Sequence, residues 1–245
     1  MIRDTLSRLW HPKRRVHSGT DTSDDVLTFI ESRAREHPSK LEDDFVKRAL
    51  DLGVESGMVL DVGTRVGLVL LKLLWQNEHF YAIGLDSSGL MIERARETAT
   101  AWELGERAFF QVGDARRMNF KSGYFDLVIS DSTLHRFDNS VAVLKEIRRV
   151  LKPRGALLVR DVHRPHRLGM ASRIAQFNNR YGDAMGPQLT RAIQSAYTRS
   201  EIEQAIRESG LSGTRISEPD TDHILIDRRG ETDPNSWVMA REQYR

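Results

Sequence analysis

No cysteine occurs among the 245 residues, which excludes disulfides, thiolate metal sites and any mechanism built on a cysteine nucleophile. Long apolar runs are missing too. Nothing approaches the ~20 residues needed to cross a bilayer, and the first residues hold no apolar core of the length found in secretory signals. Charge of one sign is scarce: 37 Lys and Arg against 35 Asp and Glu leave +2. With a pI near 9.0, that balance does not point to a membrane surface or to nucleic acid as a partner. The dinucleotide spacing G-x-G-x-x-G is also lacking, because counting from Gly63 the second glycine would fall on Arg65 and the third on Leu68. What is present, 39% hydrophobic and 29% charged residues, suffices for a full core in one globular unit. A cytoplasmic protein is the default expectation.

The chain is organised around residues 58–75. An apolar run at 58–60 leads into Asp61, then Gly63 and Gly67, then an apolar helical stretch at 68–75 interrupted by Lys72. That order reads as strand, tight turn and helix, a turn that sits at the carboxyl end of a strand where ligands bind and a helix N-terminus offers N–H groups. A second strand is predicted at 80–85, ending at Asp86, with Ser87 and Ser88 capping a helix that carries Met91, Ile92 and Ala95. Asp86 lies 25 positions after Asp61, about the interval of a βαβ unit, and a carboxylate there can accept hydrogen bonds from both hydroxyls of a ribose. A third strand at 109–112 ends in Gly113, Asp114 and Ala115. A fourth, from Phe125, exits through Ser130, Asp131 and Ser132 to His135. The next helix, with Val143, Ile147 and Val150 inward, stops at a turn over 152–155, and 156–160 forms a fifth strand. Residues 162–197 are the least regular part, a helical insert. Thr198 and Glu201 then form a capping box, Gly210 stops that helix, and 212–217 and 223–227 are closing strands.

Before this body, residues 1–20 carry Arg3, Arg8, Lys13, Arg14 and Arg15 against Asp4 and form a basic arm. Helices are predicted from Ser23, with Val26, Phe29 and Ile30 on one face, and again with Leu41, Phe45, Ala49 and Leu50 on one face. Residues 21–228 are expected to be a single domain and 229–245 a polar tail.

In this order the segments resemble the motifs of the class I, Rossmann-like S-adenosylmethionine-dependent methyltransferases, in their small-molecule branch. Asp61, Gly63 and Gly67 match D-x-G-x-G-x-G, with Arg65 where the middle glycine is usual. Residues 125–135 resemble the fourth motif, and "RRVLKPRGALLVRD" at 148–161 resembles a frequent signature, with Arg154 in place of a glycine. The resemblance spans about 41–227. It implies an α/β three-layer sandwich with a seven-stranded, mostly parallel sheet whose last strand is antiparallel, plus N-terminal helices. It implies S-adenosyl-L-methionine as cofactor and S-adenosyl-L-homocysteine as product. Asp61, Gly63, Thr64 and Gly67 would hold the methionine end, Asp86 with Ser87 and Met91 the ribose, Asp114 and Ala115 the adenine, and Ser130 would face the cofactor.

Methyl transfer from a sulfonium is an in-line substitution that asks mainly for alignment and exclusion of water. If the acceptor needs deprotonation, His135 is the first candidate base, with Asp131 and Tyr197 completing the catalytic set and His163 and His166 behind them. Asp131, Asp161, His163 and His166 also permit a metal reading, but their mixture of oxygen and imidazole ligands singles out no metal and none is assigned. The absence of cysteine removes the thiolate route to cytosine C5, and the fourth motif lacks the Pro-Pro-aromatic form used on exocyclic amines. A small-molecule acceptor is therefore expected. The alternative is a catalytically silent module that keeps the fold and acts through its basic arm or insert.

Overall fold

A computed structural model describes residues 40–165 and 167–232. The basic arm, the helix expected from Ser23, His166 and the tail from residue 233 onward lie outside the described residues. The apolar runs become strands covered on both sides. β1 (Gly57–Val62) and β4 (Phe125–Asp131) are buried at every position, as strands of a parallel sheet between two helical layers must be. Alternate side chains of β1 feed different cores: Met58, Leu60 and Val62 join one cluster and Val59 the other. Helices α1 (Lys40–Leu50), α2 (Leu68–Gln76) and α3 (Gly89–Ala101) cover one face through Phe45, Leu70, Leu74 and Ile92. Helices α4 (Ser140–Val150) and, later in the chain, α6 (Arg199–Ser209) cover the other through Val143, Ile147, Ile202 and Ala205.

With β2 (Phe80–Asp86), β3 (Ala108–Val112), β5 (Leu151–Val162), β6 (Arg215–Ser217) and β7 (His223–Arg228), the sheet has the order β3-β2-β1-β4-β5-β7-β6. Neighbours from β3 to β5 are parallel, and β7 runs antiparallel to both β5 and β6. The fold expected from the sequence is present. The order reverses between β1 and β4, which opens a crevice at their carboxyl ends.

One element differs from expectation, and a second is more regular than expected. β5 begins at Leu151, not 156: Phe125 pairs with Leu151 and Leu127 with Ala156, so 152–155 loop out as a bulge within the strand. Lys152 Nζ there meets Asp126 Oδ1 at 2.7 Å, and Asp126 Oδ2 also accepts from Met58 N at 2.9 Å. This buried carboxylate ties the bulge to the start of β1. The irregular insert is a single 29-residue helix, α5 (Arg167–Ser195), although Gly169, Gly182, Gly186 and Pro187 lie within it. The expected insert is therefore helical, and more regular than its sequence reads, since glycine weakens a helix and proline withholds an N–H. The helix is anchored at its ends, by Arg173 pairing with Asp222 and by the burial of Ile193. The next helix, α6, starts and stops where expected, with the Thr198–Glu201 capping box and a left-handed Gly210. Among the described residues no helix is long and apolar enough to cross a membrane.

Candidate active site

The turn after β1 is fixed by its own backbone. Gly63 N and Thr64 N both donate to Leu85 O, at 2.7 and 3.1 Å, and Gly67 N donates to Thr64 O at 2.9 Å. Gly63 and Gly67 both have φ +78°, a conformation in which a side chain is strained. The sequence suggested that glycine lets a ligand approach; the structure adds a packing reason. A Cβ at Gly63 would lie 2.2 Å from Thr133 and one at Gly67 2.9 Å from the Phe110 ring. The turn is thus clamped between β2, β3 and the β4 exit.

Above it lies a hollow lined by Glu42, Asp61, Gly63, Thr64, Arg65 and Asp131, among others. Four of the expected site residues, Asp61, Gly63, Thr64 and Asp131, meet there; Glu42, from α1, was not anticipated. The hollow is rich in carboxylates. Glu42 is paired with Lys72 at 3.0 Å, whereas Asp61 is 2% exposed and its pKa is pushed up to about 7. Burial is the main cause. The Thr64 hydroxyl works the other way although it falls outside full hydrogen-bond geometry, its Oγ1 being buried without a partner among the described residues; Asp131 then raises the value, Arg65 lowers it and Asp86 raises it. A buried carboxyl with its pKa raised by burial, an orphaned hydroxyl and acidic neighbours suit a ligand that carries positive charge and polar hydrogens.

Arg65 crosses this hollow. Its backbone N–H donates to Asp86 Oδ2 at 3.0 Å, and its Nη2 donates to the carbonyls of Asp131 at 3.2 Å and Ser132 at 2.8 Å. One residue therefore joins the exits of β1, β2 and β4. Asp86 also accepts from Ser88 N at 3.0 Å through Oδ1. The helix cap is Ser88, whose hydroxyl accepts from Met91 N at 3.3 Å, while Ser87 is exposed. Met91 is buried beneath the turn against Val66. At the β3 exit Asp114 is gripped by Arg116, with Nε and Nη2 within 3.1 Å of its carboxylate. Those hydrogen bonds hold its carboxyl below the usual range. Ala115 packs into the core.

On the β4 and β5 side the side chains are tightly assigned. Ser130 Oγ donates to Val62 O at 2.8 Å, which makes it a brace between β4 and β1. Asp131 receives a two-pronged contact from Arg160, Nε to Oδ1 at 2.8 Å and Nη2 to Oδ2 at 2.7 Å, with both side chains about a tenth exposed. Tyr197 donates its hydroxyl to Phe137 O at 2.6 Å. His135, in a single 3-10 turn at Leu134–Arg136, is held by Asp161: Nδ1 lies 2.6 Å from Oδ1, and its own backbone N donates to Oδ2 at 2.8 Å. An ionised carboxylate only accepts, so a neutral His135 ring facing it carries its proton on Nδ1 and its lone pair on Nε2. The sequence reading had placed Asp161 only among possible metal ligands. Its role was accessible from adjacency, because parallel β4 and β5 put the residues leaving their ends side by side. His163 pairs in a short bridge with Tyr197, and burial lowers its pKa.

A family model described as a methyltransferase domain matches residues 60–159. The demethylmenaquinone methyltransferase of Thermotoga maritima is 32% identical over 133 residues, which cover 54% of this chain and 56% of that protein; the chain thus spans little more than half of that relative. The 27-O-demethylrifamycin SV methyltransferase of Amycolatopsis mediterranei aligns at 24% identity over 98% of this chain and 78% of its own. The crystal structure of a SAM dependent methyltransferase from Aquifex aeolicus superposes with a TM-score of 0.62 at 20% identity, covering 81% of this chain and 96% of that one. Residues 60–159 thus match a methyltransferase domain in sequence, and the seven-stranded sheet shares the fold of that solved methyltransferase.

Proposed function

We propose that this protein transfers a methyl group from S-adenosylmethionine to a small-molecule acceptor. One observation carries the reading: Asp114, Asp86, Asp61 and Asp131 leave the carboxyl ends of four adjacent parallel strands, on either side of the point where strand order reverses. Asp61, the orphaned Thr64 hydroxyl and the carbonyls at the β4 exit would hold the ammonium of the amino-acid end, Asp86 the ribose and Asp114 the adenine. The cofactor supplies an electrophilic methyl whose sulfonium charge is lost on transfer. The relatives named above act on a menaquinone precursor and a rifamycin, which favours a small molecule as acceptor.

The chain's own contribution to chemistry centres on His135. Its Nε2 carries the lone pair, and Asp161 fixes both tautomer and ring orientation, as a base that removes a proton from a hydroxyl, amine or activated carbon requires. Asp131 and Tyr197, counted with it from sequence, are engaged by Arg160 and by Phe137 O and act as supports. Asp161→Asn presents an amide that can donate to Nδ1 and reverse the tautomer; kcat is expected to fall roughly a hundredfold with KM nearly unchanged. His135→Gln is expected to lose a similar amount, and steady-state kinetics on an acceptor found by screening checks both. Unchanged kcat in both variants would remove the base from the scheme.

Cofactor binding is tested by calorimetry with S-adenosylmethionine and S-adenosylhomocysteine on the purified protein. Both ligands are expected to bind, and Asp86→Asn to weaken both at least tenfold, because one acceptor of a two-hydroxyl contact becomes a donor. The opposite reading, a silent module, draws on Arg65 in the hollow; absence of heat and of a thermal shift with either ligand would favour it.

A further inference from the structure

Arg65 and Ser132 share a feature that glycine-rich turns normally avoid. Both have left-handed backbones, at φ +52° and +53°, and neither is a residue for which that region is favourable. They meet across one hydrogen bond, Arg65 Nη2 to Ser132 O at 2.8 Å, with Asp131 O sharing the same donor at 3.2 Å. Two strained residues on one contact mark an arrangement upheld by that contact, and such strain is typical of sites that change state. The backbone of Arg65 is separately fixed, by its N–H on Asp86 Oδ2. The guanidinium can therefore leave its place without disturbing the ribose side. What it covers is a pair of main-chain carbonyls at the rim of a hollow that also holds buried Asp61. Carbonyls beside a carboxylate are a seat for N–H donors with positive charge, and a guanidinium and a ligand's ammonium compete for it.

We propose that Arg65 is a specificity-determining residue of the cofactor hollow: its guanidinium holds the carbonyl seat at Asp131 and Ser132, and the ammonium of a ligand's amino-acid end competes with it for that seat. The proposal rests on the cofactor reading above. It narrows the hollow's preference for ligands with an amino-acid end, since a nucleoside without one has nothing with which to displace Arg65 and gains nothing from its removal. The displacement lowers affinity for ligands that do carry such an end.

Calorimetry with two probes on wild type and Arg65→Gly tests this: S-adenosylhomocysteine, which has the amino-acid end, and 5′-methylthioadenosine, which lacks it. Glycine is at home at φ +52°, so the variant folds; Arg65→Asn, which also tolerates that region, serves as the second variant. Removing Arg65 is expected to tighten S-adenosylhomocysteine roughly tenfold, the loss of one charge-assisted contact, and to leave 5′-methylthioadenosine unchanged. Unchanged or weaker S-adenosylhomocysteine binding, or equal tightening of both probes, would overturn the proposal while leaving the cofactor reading in place. No binding of either probe to any of the proteins would overturn both.

Discussion

Asp61→Asn is expected to make the ligand-free protein more stable at pH 8 and, in the same step, to weaken its hold on S-adenosylmethionine. Burial raises the Asp61 carboxyl from 3.8 to about 7. A folded-state pKa above the unfolded one means that the folded protein keeps its proton while the unfolded chain gives it up. The contribution of Asp61 to stability is thus fully present below about pH 4, is lost progressively as pH rises towards 7, and is constant above that. Converted by linkage, the span corresponds to at most about 4 kcal/mol, or roughly 10 °C in Tm for a chain of this size. Asparagine is neutral throughout, so the variant and wild type should have similar melting temperatures at pH 4 and diverge up to pH 7. Thermal unfolding at pH 4, 6 and 8 checks this; equal Tm differences at all three would show that Asp61 ionises normally. Binding should move the other way. A cationic ligand favours the ionised carboxyl, so wild-type affinity for S-adenosylmethionine should rise across pH 6 to 8 while that of the variant stays flat and weaker.

Arg160→Ala is expected to cost about 3–5 kcal/mol, enough to threaten folding at physiological temperature. Its guanidinium faces both oxygens of buried Asp131 and lies 4.8 Å from the centre of the Phe45 ring. Burial works against its charge, but the Asp131 carboxylate outweighs that and raises its pKa. Truncation strips Asp131 of the cation facing it, opens a void beneath α1 and leaves a buried carboxylate poorly compensated. The double variant Arg160→Met with Asp131→Leu removes both charges and should recover most of the stability in urea denaturation. It should not recover cofactor affinity, because Asp131 lines the hollow. Recovery of both would reduce the pair to a structural device.

The fold was legible because its central parallel strands β1 and β4 are buried on both faces and so stand out as apolar runs that end in an acid or a glycine. Phe80–Asp86 and Phe125–Asp131 needed only that signal. The side-chain partnerships were not legible in the same way. His135 and Asp161 are 26 positions apart, and only the parallel register of β4 on β5 makes them neighbours. Arg160 reads in sequence as an interruption of an apolar strand; its buried partner Asp131 comes from the adjacent strand. The insert was expected to be helical, but the unbroken length of α5 was not legible, since its glycines and proline weaken a helix locally and tertiary anchoring preserves it. Arg65 was recognised as a departure from the motif, but where its side chain would go depended on the left-handed turn at Ser132, which no local pattern announces.

The place of β7 has a consequence for how the chain is made. Residues 223–228 insert between β5 and β6, so a nascent polypeptide emerging from the ribosome carries β5 with one raw flank until residues 223–228 have been synthesised. That flank is long, apolar and hydrogen-bond-hungry, the kind of border that recruits strands from other molecules. Chains stopped short of residue 223 are therefore expected to be captured by chaperones or to precipitate, even though every residue of the hollow has already been translated.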